Sequence, residues 1–185
     1  EPQIEIQAFV FESFGGDAGR RKATLSGDAV FSDRNLLPQP VDFGKKEFAS
    51  ALAERNIPAG RFRIQAEVST GAPESFKISG VRISGGDLRG LMYGLLEAAE
   101  QIRSTGRLAP ASGSAAFPVR GVRFAVQVRH LEEGWFHSRD YWEELAAMLA
   151  RSRLNRLNLV FEQSVIFTGR LHQTLRLLSD IASAY

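Results

Sequence analysis

Residues 4–11, "IEIQAFVF", place Ile4, Ile6, Ala8 and Val10 on one face, the period-two alternation of a half-buried strand. The stretch 62–68, "FRIQAEV", repeats that alternation with Phe62, Ile64, Ala66 and Val68. Between them "KKEFASALAERN" (45–56) spaces Phe48 and Leu52 as a short helix does. "ESFKISG" and "VRISGG" then predict two short strands in quick succession, joined near Gly80. The clearest helix follows in "GDLRGLMYGLLEAAEQIR" (86–103). Leu88, Leu91, Met92, Leu95, Ala99 and Ile102 recur at i, i+3, i+4 and i+7, with Asp87 as the N-cap. A strand-rich segment followed by a helix predicts a sheet covered on one side.

That helix keeps Gly90 and Gly94 in its first turns, although each interior glycine costs about 1 kcal/mol relative to alanine. A phosphate cradle is the sharp reading of "SGGDLRG" ahead of a helix. It lacks the Lys-Ser/Thr of a P-loop and the G-x-G-x-x-G of a dinucleotide site. Four residues apart, the two glycines share one face and let the backbone approach a sheet closely. Packing is the favoured reading.

Residues 104–117, "STGRLAPASGSAAF", lose all periodicity and read as a linker, with a domain boundary near Phe117. Beyond it come a buried strand, "VRGVRFAVQV" (119–128), and a helix, "SRDYWEELAAMLARS" (138–152), burying Trp142, Leu145, Ala146 and Leu149. A second strand, "LNLVF" (157–161), and a helix, "LHQTLRLLSDIASAY" (171–185), complete the pattern, with Leu171, Leu175, Leu178 and Ala182 inward. Strand–helix–strand–helix is the unit of a parallel α/β fold. Two such strands leave open edges and little core, so more chain or a partner surface is expected to complete them.

Composition narrows the chemistry. With 44% hydrophobic and 24% charged residues, the chain is of the globular class. No apolar run approaches the roughly 18 residues of a membrane span. Cysteine is absent, which excludes disulfides, thiol catalysis and thiolate metal sites. No initiating methionine or signal-peptide pattern is present, the expectation for a mature or trimmed chain, which keeps periplasmic or secreted export open. Net charge is +2. The cluster Arg151, Arg153 and Arg156 is better read as cations at a helix C-terminus than as a nucleic-acid patch, so no nucleic-acid partner is expected. His130, His137 and His172 lack zinc-site spacing, and no G-x-S-x-G elbow occurs. Neither a metal nor a cofactor is expected.

Carboxylates are better placed. Residues just past the C-terminal ends of parallel strands face the ligand in such folds. Glu132 and Glu133 follow the strand 119–128, and Glu162 follows 157–161. "RHLEEGWFHS" (129–138) therefore lines the expected pocket, with Trp135 and Phe136 available as an apolar or sugar-stacking platform. The plainer alternative is a loop of solvated acids around a buried aromatic.

The serial order "ISGGDLRGLMYGLLEAAEQI", linker, "FPVRGVRF…VRH" and "YWEELAAMLARSRLNRLNLVF" resembles the family-20 glycoside hydrolases, including the β-N-acetylhexosaminidases, and the similarly laid out α-glucuronidases. The resemblance covers roughly residues 75–185. It implies an α/β chain: a non-catalytic accessory domain over 1–117, including the linker 104–117, then the first units of a (β/α)₈ barrel over 118–185. It implies no ligand for Gly90 and Gly94. Arg120 matches the arginine of the family's R-G strand, which binds sugar hydroxyls. Arg129-His130 matches the R-H pair that closes that strand, and Arg129 lies nearer its C-terminal end. Where the family continues into H-x-H-x-x-D-D, this sequence has Asn158, Val160, Gln163 and Ser164, a departure that weighs against N-acetylhexosamine specificity.

The family's acid–base glutamate and its aspartate partner sit on a fourth strand, whereas this sequence supplies roughly a quarter of a barrel of about 250 residues. The expectation is the N-terminal part of a carbohydrate-active hydrolase, inactive alone, in which Arg120, Arg129, Glu133 and Glu162 bind substrate and none is catalytic. The rival reading is a non-enzymatic module that holds a glycan or protein on the loop 129–137.

Overall fold

The computed structural model describes residues 5–6, 22–25, 39–162, 169–182 and 185. They fall into two compact units, Phe14–Ala116 and Phe117–Tyr185, the second joined by the segment Glu1–Ser13. Of the strand expected over 4–11, only β1 (Glu5–Ile6) lies within the described residues, and it pairs in the second unit's sheet. Gln163 and Ser164 lie outside them.

The first unit contains β2 (Lys22–Leu25), α1 (Gln39–Glu54), β3 (Ile64–Val68), β4 (Phe76–Ser79), β5 (Arg82–Gly85), α2 (Leu88–Thr105) and β6 (Ala111–Gly113). Its sheet runs β2-β3-β5-β4-β6, parallel only between β3 and β5. Alternation decides which face is covered. Ile64, Ala66, Phe76, Ile78 and Ile83 are buried, while Gln65, Lys77, Ser79 and Arg82 face water. The β4–β5 hairpin turns at Gly80, whose φ of 61° is the left-handed conformation that glycine adopts without strain. The stretch expected to be a structureless linker supplies β6, an edge strand on β4. Glycine makes this possible: a Cβ at Gly113 would stand 2.6 Å from the Phe76 ring.

Helix α2 lies on the sheet, and its start is fixed by Asp87. One carboxylate oxygen accepts the Gly90 N–H at 2.6 Å, and the other accepts the Glu74 N–H at 3.0 Å. The Gly86 N–H is taken by the Ser75 carbonyl at 2.8 Å. These donors are spent within the protein, which favours packing over an anion cradle. Added Cβ atoms would lie 2.2 Å from the Ser75 carbonyl at Gly90 and 2.7 Å from Ile83 Cγ2 at Gly94. The paired glycines are a packing device. Helix α1 crosses α2 closely as well, and Arg103 of α2 donates to Glu47 and Glu54 of α1 at 2.9 and 3.2 Å. The Ser50 hydroxyl, then Arg103, hold the Glu54 carboxyl below its ordinary range.

The second unit builds β7 (Gly121–Val126), α3 (Arg139–Arg151), β8 (Arg156–Phe161) and α4 (Gly169–Ala182). Strands β7 and β8 are parallel, from Gly121 opposite Arg156 to Val126 opposite Phe161. Antiparallel β1 occupies the other side of β8. Val126, Phe136, Trp142, Leu149, Leu157, Leu159, Leu171, Leu178 and Ile181 form the core. Sequence spacing places Trp142, Leu149, Leu171 and Leu178 correctly, but Leu145, Ala146, Leu175 and Ala182 are only half-buried. On α4 the fully enclosed stripe is completed by Thr174 and Ile181 instead. The chain is a mixed α/β protein.

Candidate functional site

A parallel strand pair delivers both following segments to one edge. Here the Glu162 N–H donates to the Val126 carbonyl at 3.0 Å, tying the residue after β8 to the last residue of β7. From that edge the chain enters two short 3₁₀ turns, Val128–Leu131 and Gly134–His137, before α3. Arg129, Glu132, Glu133 and Glu162 are all exposed there.

The turns are pinned from within. The Gln127 N–H donates to His130 Nδ1 at 3.0 Å, and the Gln127 side chain accepts the His130 N–H in return, a reciprocal cap. His137 bridges the Leu131 carbonyl through Nε2 at 2.9 Å and the Thr174 hydroxyl through Nδ1 at 2.6 Å. A carbonyl only accepts, so Nε2 of His137 carries a proton. Both histidines therefore serve the loop's shape. Among the described residues no three of His, Asp and Glu converge to hold a metal.

The two aromatics separate. Phe136 is fully enclosed at 0% exposure, so it belongs to the core and cannot stack on a sugar. Trp135 is half-buried, and its indole N–H donates to the Glu133 carboxylate. Sequence spacing gives no sign of that bond, because the contact depends on the turn that begins between them.

Arg120 stands apart from the other three candidates. It precedes β7, about 20 Å along the strand from Val126 at some 3.3 Å per residue. Its guanidinium donates to the Arg153 carbonyl at 2.9 Å through Nε and to the Phe117 carbonyl at 2.6 Å through Nη1. Asn155, 9% exposed, completes this closure. Its Oδ1 accepts the Arg120 N–H at 2.9 Å and its Nδ2 donates to the Pro118 carbonyl at 2.8 Å. Replacing Asn155 with alanine removes both of these bonds. A loss of about 1–3 kcal/mol in the second unit's unfolding free energy is expected by chemical denaturation. The structure thus brings Arg129, Glu133 and Glu162 to one edge and sets Arg120 at the other end.

No family model matches the chain, and no curated protein matches it. Among solved structures, a GH138 enzyme targeting pectin rhamnogalacturonan II is similar at TM-score 0.68 and 18% identity. The match covers 81% of this chain and 22% of that enzyme's chain. The fold is glycoside-hydrolase-like. At this identity the likeness concerns fold alone, and the chain spans about a fifth of the enzyme's length. It also shifts the family expectation. The similar structure belongs to family 138, not to the family-20 hexosaminidases that the motifs resemble. Among the described residues, no helix is long and apolar enough to cross a membrane.

Proposed function

We propose that this chain is the N-terminal portion of a carbohydrate-active glycoside hydrolase, an accessory unit followed by the opening strands of a (β/α)₈ barrel. Its sugar-facing surface is the C-terminal edge of β7 and β8. There Arg129 donates to sugar oxygens, while Glu133 and Glu162 accept from sugar hydroxyls. None of them serves as the catalytic acid, and Arg120 supports the opposite end of the strand. One observation carries the reading. Two parallel strands present an exposed guanidinium and exposed carboxylates at the end where such folds bind ligands, beside a half-buried indole.

The chain is expected to bind carbohydrate without cleaving it. Its two tryptophans give the assay, since Trp142 is 1% exposed and Trp135 borders the edge. Oligosaccharides released from rhamnogalacturonan II are the first probes, with N-acetylglucosamine oligomers as the contrast. A saturable change in tryptophan emission with the pectic set, at least about tenfold weaker in Arg129→Ala, supports the reading. No change with either set, or an Arg129→Ala response equal to the wild type, counts against it.

A further inference from the structure

The side chain that orders this edge is given no role toward Glu133 by the carbohydrate reading. Glu133 is exposed, follows Glu132 and precedes Gly134, around whose Cα nothing lies within 4 Å in the direction of a Cβ. A glutamate in such open surroundings ordinarily samples many rotamers and loses entropy when a ligand fixes it. Here the Trp135 indole N–H donates to Glu133 Oε2. The indole is itself immobilised. Phe124, His130, Phe136, Tyr141 and Trp142 surround it with ring centroids 4.7 to 6.3 Å away. Two of those neighbours are anchored in turn, since Phe136 and Trp142 are core residues and the Trp142 indole donates to the Phe136 carbonyl at 2.7 Å. Rigidity therefore passes from the core through one ring to an exposed carboxylate.

We infer that Trp135 is a positioning residue: its indole N–H holds the Glu133 carboxylate in one orientation, leaving Oε1 to accept a sugar hydroxyl. The inference rests on the carbohydrate reading of this edge. Trp135 acts through Glu133 and through the fixed place of its ring, not by covering the sugar. A preformed acceptor lowers the ordering cost of binding, and a bond to an ionised acceptor is among the stronger hydrogen bonds.

The ¹⁵N-labelled chain shows two indole signals, from Trp135 and Trp142. In Glu133→Ala the Trp135 indole proton is expected to move upfield and to exchange with solvent about tenfold faster. The Trp142 signal stays, because its acceptor is a backbone carbonyl. Should Glu133→Ala disturb the Trp142 signal as well, Glu133→Gln decides, with a smaller upfield shift expected at Trp135 alone. A Trp135 signal unmoved in the decisive variant overturns the coupling. With rhamnogalacturonan II oligosaccharides, Trp135→Phe retains a ring but no N–H donor. It should weaken binding about tenfold, with little further loss when Glu133→Ala is added. Equal binding by wild type and Trp135→Phe overturns the positioning role. Coupled indole shifts in a wild-type chain that binds no sugar overturn the carbohydrate reading, leaving the Trp135–Glu133 bond as loop structure alone.

Discussion

Gly90→Ala is expected to destabilise the Phe14–Ala116 unit by about 2 kcal/mol, although alanine is the better helix former. Alanine in a helix interior gains about 1 kcal/mol over glycine, and overpacking typically costs 1–3 kcal/mol or somewhat more. The outcome depends on what the new methyl meets. At Gly90 it meets backbone: the Ser75 carbonyl at 2.2 Å and the carbonyl carbons of Glu74 and Ser75 at 3.1 Å. That segment cannot retreat freely. Glu74 holds a φ of 58°, its N–H is bound by Asp87, and its carboxylate is paired with Arg89 at 3.0 Å. The Ser75 carbonyl is also the acceptor for Gly86. Gly94→Ala is the internal contrast. Its methyl meets Ile83 Cγ2 at 2.7 Å and Phe76 Cβ at 3.2 Å, both side-chain atoms. A loss nearer about 1 kcal/mol is expected there. Urea unfolding of both variants checks the order, and a neutral or stabilising Gly90→Ala would contradict the packing account.

The largest effect in the second unit is expected from Trp142→Ala, about 3–5 kcal/mol. Trp142 is 1% exposed and stands 5.1 to 6.1 Å from the rings of Tyr141, Phe136 and Phe124. Its removal opens a cavity beneath the turn Gly134–His137 and strips the Phe136 carbonyl of its donor. Trp142→Phe separates these contributions, since it keeps a ring and loses only the N–H and part of the volume, for about 1–2 kcal/mol. Residue-resolved hydrogen exchange should show the loss of protection in α3, β7 and β8. Unchanged protection there in Trp142→Ala would show that this cluster does not hold the edge.

Much of the framework was readable because burial imposes a period. Leu88 to Ile102 repeat every three to four residues, and α2 forms there with Asp87 as its cap. Strands β7 and β8 stand within two residues of the expected bounds. What escaped was decided by contacts distant in sequence. Strand β6 arises from a small-residue stretch with no alternation of its own, through backbone pairing with β4 and a glycine that clears Phe76. Helix α1 begins at Gln39, earlier than the 45–56 pattern predicts, and buried Val41, seven residues before Phe48, extends the same stripe into its first turn.

The candidate site divides in the same way. Position after a parallel strand is legible, which is why Arg129, Glu133 and Glu162 share an edge. Role is less so. Arg120 looks equivalent to Arg129 as a residue type, yet its guanidinium serves backbone carbonyls at the other end of β7. Phe136 and Trp135 are neighbours in sequence, yet one is core and the other borders the edge. The reciprocal cap between Gln127 and His130 that orders this loop was not legible, because Gln-x-x-His is not the Ser/Thr-x-x-Glu/Gln pattern of a capping box.

The central claim is the location of the sugar, and amide chemical-shift mapping with rhamnogalacturonan II oligosaccharides tests it most directly. The account predicts saturable shifts concentrated at residues 127–137 and at Glu162, with the Trp135 indole among them and Arg120 little affected. Shifts confined to Phe14–Ala116, or none at saturating oligosaccharide, would contradict it.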